Sequence, residues 1–105
     1  MSEQYNGWTN YETWCVASWL DNQEYSYNAW RERADELYGE TEEDADKEDR
    51  IEAVARVLSA ELRTVFEVNN PLADQASCYA DLLNAAISEV DWFAIAEHYI
   101  TETME

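Results

Sequence analysis

Carboxylates dominate the reactive side chains of this sequence. Its 105 residues include 24 Asp and Glu against six Lys and Arg, which gives a formal net charge of −18 at pH 7. Seven of the acids fall within residues 40–49. Carboxylates at this density can act as acid–base pairs, as ligands of hard cations, or as a negative surface that resembles the outside of a nucleic acid. The other residues of the chain favour the third role.

Catalysis and metal binding lack the residues they would need. His98 is the sole histidine, and no local signature pairs it with Cys15 or Cys78 as a nucleophile. The acidic stretch has no glycine where an EF-hand loop requires one, and the two glycines of the chain cannot form a phosphate-binding loop. A metal site of His98, Asp91 and Glu102 can be drawn, but carboxylates this dense produce such groupings by coincidence. We therefore expect a protein that is not an enzyme, with no catalytic residue, metal or cofactor, and with a buried or half-exposed structural His98.

The six basic residues all lie between positions 31 and 63, so neither end of the chain carries a Lys or Arg. Phosphate binding by counterion release requires clustered Lys and Arg, and no segment of this chain is basic enough to meet that requirement. The sequence therefore argues against direct binding to DNA, RNA or an anionic membrane. No apolar run approaches the ~20 residues that span a bilayer, and the first residues lack the pattern of a signal peptide. Cys15 and Cys78 are set among apolar residues, which predicts free, packed thiols and a cytoplasmic location.

Helical periodicity accounts for nearly the whole chain, because two glycines and one proline are all that interrupt it. The first two helices are predicted over about 10–22 and 26–38. An acidic loop at about 40–49 follows, and the third helix runs from the end of this loop to about 69. The last two helices are predicted over 71–88 and 92–101. Thr9 and Glu12 have capping-box spacing before the first helix, Asn70 and Pro71 suit the start of the fourth, and Asp91 suits the start of the fifth. We expect an all-α protein, a compact single-domain bundle of about five helices over residues 1–105 with an acidic surface.

Each predicted helix carries one apolar stripe that we expect to face the core. In the first helix this stripe is mainly aromatic and consists of Tyr11, Trp14, Cys15 and Trp19. The second helix contributes Tyr27, Trp30, Ala34, Leu37 and Tyr38, and the third contributes Ile51, Val54, Ala55, Leu58, Leu62, Val65 and Phe66. The last two contribute Ala76, Tyr79, Ala80, Leu83, Ala86 and Ile87, then Trp92, Ile95, Ala96, Tyr99 and Ile100. Aromatic residues left at the surface, among Tyr5, Trp8, Tyr25 and Tyr27, would mark a protein interface.

Two stretches of the sequence carry a resemblance. Residues 5–14 read YNGWTNYETW and continue to WLDN at 19–22, and residues 79–92 read YADLLNAAISEVDW and continue to IAE at 95–97. These stretches, at the two ends of the chain, resemble the opening and the closing helices of a family of small acidic proteins carried by phages and other mobile elements. The resemblance implies a mobile-element setting in a host bacterial cell. In that setting, small acidic helical proteins recur as antirestriction and anti-CRISPR inhibitors that imitate DNA.

Charge and resemblance together predict an inhibitor of a host defence nuclease complex, of the CRISPR or the restriction type. The partner would be a DNA-binding protein or nuclease complex whose positively charged groove the acidic side chains occupy in place of DNA. Acids at i, i+3 and i+4 of a helix lie ~5–6 Å apart at Cβ, a separation comparable to that of neighbouring phosphates. We expect the surface to be formed by Asp35, Glu36, Glu40, Glu42, Glu43, Asp44, Asp46, Glu48, Asp49 and Glu52, and to extend to Asp74, Asp81, Glu89 and Glu97.

Two alternatives to DNA mimicry stay open. An acidic helical adaptor could dock on a partner through the aromatic N-terminal region. A generic acidic domain, of the kind that high-salt organisms use, would also be poor in lysine, and this chain has one lysine. The sequence leaves the oligomeric state open, a homodimer included, and does not identify the target.

Overall fold

The computed structural model describes residues 6–104, which form five α-helices and no strand. The helices are α1 Tyr11–Asn22, α2 Glu24–Gly39, α3 Lys47–Val68, α4 Cys78–Glu89 and α5 Trp92–Thr103. The all-α prediction is therefore confirmed. Among the described helices, none combines the length and the apolar character that crossing a membrane would require.

The residues that begin α1 and α5 tie the two helices together. Asn10 caps α1, since its Oδ1 accepts a hydrogen bond from the backbone N–H of Thr13 at 2.9 Å. Asp91 caps α5 by accepting from the N–H of Ala94 at 3.0 Å. The predicted capping box at Thr9 is wrong, because the Thr9 hydroxyl donates instead to the Asp91 carboxylate at 2.7 Å. A side-chain acceptor satisfies N–H groups that a helix start otherwise leaves unpaired.

Helix α4 begins seven residues later than predicted. The Asn70 side chain does accept a hydrogen bond, from the N–H of Leu72 at 2.8 Å, but only the single turn 71–74 follows. The chain then opens, and Ser77 caps the true start of α4 by accepting from the N–H of Ala80 at 3.1 Å. The prediction of one helix over 71–88 is therefore wrong, because a local cap fixes one turn but not its propagation.

Helix α5 lies at the centre of the core. It packs most extensively on α3 and then on α2, and α2 also packs on α3. The buried residues of α5 are the five predicted ones, Trp92, Ile95, Ala96, Tyr99 and Ile100. Those of α3 are Val54, Ala55, Leu58 and Leu62, all predicted to face inward. Helix α4 packs mainly on α1 and buries Ala80 alone, so it is the helix least embedded in the bundle.

Helix α1 buries the face opposite to the predicted one. Its buried residues are Thr13, Ala17 and Leu20, whereas the Trp19 side chain is 62% exposed. Positions 13, 17 and 20 lie roughly half a turn from the predicted aromatic stripe. Thr13 explains the choice, because its hydroxyl donates to the Asn10 side chain at 2.6 Å and accepts from the backbone N–H of Asp91 at 2.8 Å. The small buried residues let α1 approach its neighbours closely, which bulky indoles would prevent.

Candidate functional site

The ten acids predicted as the binding surface lie on the second half of α2, the connecting loop, and the first two turns of α3. We call them the acidic surface; they are Asp35, Glu36, Glu40, Glu42, Glu43, Asp44, Asp46, Glu48, Asp49 and Glu52. All ten are exposed. Glu48 and Asp49 occupy the first turn of α3, where negative charge opposes the positive end of the helix dipole. The start of α3 thus stabilises charges that would otherwise only repel one another.

Arg50 fastens the acidic loop to the helices on either side of it. Its Nε donates to the hydroxyl of Thr41 at 2.7 Å, and its Nη2 lies 3.3 Å from the carbonyl oxygen of Tyr38. The guanidinium also stacks over the Tyr38 ring, 4.0 Å from the ring centroid. Thr41 in turn donates to the Tyr38 carbonyl at 2.6 Å. The start of the acidic loop is therefore tied to α2 and α3, and the carboxylates of the loop are exposed.

Two members of the acidic surface are neutralised by arginines. Arg33 bridges Glu36 at 2.7 Å and Glu61 of α3 at 2.7 Å, and Arg56 pairs with Glu52 at 2.6 Å. The two hydrogen bonds from Arg33 lower the pKa of the Glu61 carboxyl. The other eight acids of the surface have no basic group of the described residues within 4 Å. Their charge remains available to a partner.

The four residues predicted to extend the surface lie elsewhere on the molecule. Asp74 follows the far end of α3, a 22-residue helix that spans about 33 Å. Asp81 and Glu89 are at the two ends of α4, and Glu97 is in the middle of α5. All four are exposed.

A cluster of titratable groups lies between α2 and α5, with Asp21 of α1 close by. The Glu102 carboxylate accepts a hydrogen bond from the Tyr27 hydroxyl and lies 2.7 Å from Nε2 of His98. The hydrogen bond to Glu102 raises the pKa of Tyr27. Burial, together with the nearby charges of Asp21 and Glu102, raises the pKa of Tyr99. His98, half-exposed as predicted, is paired within α5, and Glu102 links it to Tyr27 of α2.

The metal-binding alternative is not assembled. The Asp91 carboxylate is engaged by Thr9 and by the cap of α5, away from the ion pair of His98 and Glu102. Across residues 6–104, no three His, Cys, Asp or Glu side chains are grouped so as to hold a metal ion.

Both cysteines are free, but Cys78 is exposed at the start of α4, so the prediction that both pack as small hydrophobes is wrong for Cys78.

The aromatic N-terminal region is only partly at the surface. Trp8 packs against the core, with its ring 5.3 Å from that of His98, and Tyr27 is half-buried. Tyr25 is exposed, and Tyr5 lies outside the described residues.

Sequence reasoning missed Arg50 as the residue that orders the acidic loop. The available signal was one arginine directly after seven acids.

Comparisons with known proteins give a family and nothing beyond it. No curated protein matches the chain, and no solved structure matches it either. One family model matches residues 1–93, which is most of the chain and includes the whole acidic surface. The protein belongs to DUF7249, a family of unknown function.

Proposed function

We propose that this protein is a non-enzymatic inhibitor whose acidic surface occupies the positively charged nucleic-acid groove of a host defence nuclease complex. The observation that carries the proposal is the group of eight exposed carboxylates without a basic partner. Five of them are on the loop whose start Arg50 ties to the helices, and three are on the flanking turns of α2 and α3. An ordered array binds with less entropy loss than a flexible acidic tail would. The resemblance to mobile-element proteins supports a CRISPR or restriction complex as the target.

The amount of charge suits imitation of a short duplex. Residues 35–52 contain the ten acids together with Lys47 and Arg50, which leaves a formal charge of −8. Duplex DNA carries one charge per about 1.7 Å of axis, so this segment matches about 14 Å of duplex. Over the 50 Å length of the molecule, −18 corresponds to one charge per about 2.8 Å. The protein thus approaches the charge density of DNA and can gain the same counterion release from a DNA-binding groove.

A charge-reversal series tests the proposal against purified restriction and CRISPR nucleases in DNA-cleavage assays. Changing Glu42, Glu43, Asp44 and Asp46 to lysine shifts the charge by eight units at exposed positions, so we expect the fold to survive and inhibition to be lost. A matched control reverses Asp74, Asp81, Glu89 and Glu97, with the same change of charge on other elements. We expect this control to retain most of the inhibition.

Salt and competition separate mimicry from the alternatives. Exposed charges are screened over about 8–10 Å at physiological salt, so wild-type inhibition should weaken steeply as salt rises, and added duplex should compete for the target. The protein itself should give no gel shift with duplex DNA. Inhibition that survives the loop reversal but is lost in Tyr25→Ala would contradict mimicry and support an adaptor that docks through exposed aromatic residues. Absence of binding to every nuclease tested would support a generic acidic domain.

A further inference from the structure

An apolar groove of about 560 Å³ opens between α1, α3 and α4. Its walls include Cys15 and Trp19 of α1, Val65 of α3, and Leu83 and Ile87 of α4. Three members of the α1 stripe that sequence analysis placed in the core, Tyr11, Cys15 and Trp19, therefore line this groove. Val65 is 17 residues along α3 from Glu48, or about 26 Å, so the groove is separate from the acidic surface.

The exposure of the groove is unusual for residues of these types. Trp19 is 62% exposed and Tyr11, which also lines the groove, is 54% exposed. The groove stays open because α4 packs mainly on α1 rather than on α3. The face of α4 that carries Leu83 is therefore separated from the end of α3 by the groove. Large apolar side chains gathered in an open concavity mark a protein-interaction site.

The charge around the groove indicates which kind of partner fits it. The segments that build the groove belong to residues 1–30 and 64–105, which contain acids but no Lys or Arg. Glu12 is the one charged residue in the lining. Arg63, the base nearest in sequence, is paired with Glu67 at 3.2 Å. A partner that covers the groove should therefore carry apolar anchors flanked by basic residues.

A second copy of the chain fits this description poorly. Two copies would each bring a formal charge of −18. Four of the six bases of a copy are already engaged, since Arg33, Arg56 and Arg63 are in ion pairs and Arg50 holds the acidic loop. A peptide that binds by adding a β-strand fits poorly as well, because it needs a sheet edge for its backbone hydrogen bonds and residues 6–104 contain no strand.

We propose that the groove docks an amphipathic helix of a partner protein. Apolar side chains at i, i+3 or i+4, and i+7 of that helix enter the groove beside Trp19 and Val65, and Lys or Arg residues on its flanks face the acidic surroundings. This site is independent of DNA mimicry, since the acidic surface takes no part in it. It gives the protein a second contact, with chemistry different from that of the first.

The test uses two synthetic 18-residue peptides of leucine and lysine with equal composition. One places the leucines at helical spacing on a single face, and the other distributes them around the helix. Binding of each fluorescently labelled peptide is measured by anisotropy at 150 mM salt, about the physiological ionic strength. We expect the patterned peptide to bind wild-type protein at least ten-fold more tightly than the scrambled one.

Two matched variants of α3 locate the binding. Val65→Glu places a charge in the groove, and Val57→Glu places the same charge outside it. The two positions are similarly exposed, Val65 at 40% and Val57 at 46%. Simple attraction of a cationic peptide to added negative charge would strengthen binding in both. We expect Val65→Glu to weaken binding at least ten-fold and Val57→Glu to leave it within two-fold of wild type. Trp19→Ser, at an exposed position, gives a second groove variant should Val65→Glu unfold.

Three results would overturn the proposal. Equal binding of the two peptides, or equal effects of Val65→Glu and Val57→Glu, would show general charge attraction without a groove. Self-association in sedimentation experiments that Val65→Glu abolishes would make a second copy the occupant. None of these bears on the nuclease assays, because both valines lie outside the acidic surface.

Discussion

Replacing Arg50 with methionine tests whether the geometry of the acidic loop, and not only its charge, matters. Methionine keeps an unbranched apolar stem but removes the hydrogen bond to Thr41 and the cation stacked on Tyr38. A hydrogen bond from a charged group is worth about 1.5–3 kcal/mol and an exposed cation–π contact about 0.5–1 kcal/mol. Part of this loss is offset, because the Thr41 hydroxyl keeps its hydrogen bond to the Tyr38 carbonyl and gains access to water. We therefore expect the free energy of unfolding to fall by about 1–2 kcal/mol.

Two measurements check this expectation. Urea denaturation followed by tryptophan fluorescence gives the change in stability, which corresponds to about 4–8 °C in Tm per kcal/mol for a domain of this size. Hydrogen exchange should show faster exchange of amides in the loop 40–46. Arg56→Met is the matched control on the same helix, because its ion pair with Glu52 is on the open surface, and we expect no measurable loss from it.

The functional consequence separates two kinds of electrostatic binding. Arg50→Met makes residues 35–52 more negative by one charge. If charge alone drives inhibition of the target nuclease, the variant should inhibit slightly better than wild type. If the ordered loop matters, inhibition should weaken despite the added charge, and we expect this result. An unchanged urea midpoint together with unchanged loop exchange would refute the role of Arg50 in ordering the loop.

Three further predictions concern the bundle itself. Leu58 is fully buried in the core, so Leu58→Ala should lower the free energy of unfolding by about 2–5 kcal/mol, and an unchanged denaturant midpoint would contradict this. Thr13→Val keeps the side-chain shape but leaves the Asp91 N–H without its acceptor, and calorimetry should show a loss of about 1–3 kcal/mol, whereas Trp19→Ser should lose less. The hydrogen bonds from Arg33 lower the pKa of Glu61 below its usual 4.5, so this pair stabilises the fold above that pH and the contribution is lost as pH falls through the lowered pKa. The stability difference between Glu61→Gln and wild type should accordingly be present in urea titrations at pH 7 and shrink at pH 3.5, and a difference that does not depend on pH would argue against the ionised pair.

Periodicity in the sequence was sufficient for most of α3 and α5. Leu58, Leu62 and Ile95 were predicted correctly to face inward because they have no polar atom to satisfy and gain only by burial, whereas Val65, also predicted to face inward, is 40% exposed near the end of α3. The end of the acidic stretch was also predicted correctly as the first turn of α3, since its carboxylates favour that position. The charge of the acidic surface needed no structure either, because side chains this acidic are seldom buried.

Tertiary structure decided what depends on residues far apart in sequence. The core-facing side of α1 was set by Thr13, whose hydroxyl meets the Asp91 amide 78 positions later. Tryptophan and tyrosine stripes suit a core and an open groove equally well, and only the placement of α4 shows that this stripe lines a groove. Arg50 could not be recognised as the residue that holds the loop before its approach to Tyr38 was known. Composition and periodicity thus predicted the all-α class, the number of helices and the charge, whereas long-range hydrogen bonds and packing determined where α4 begins and which faces of the helices remain exposed.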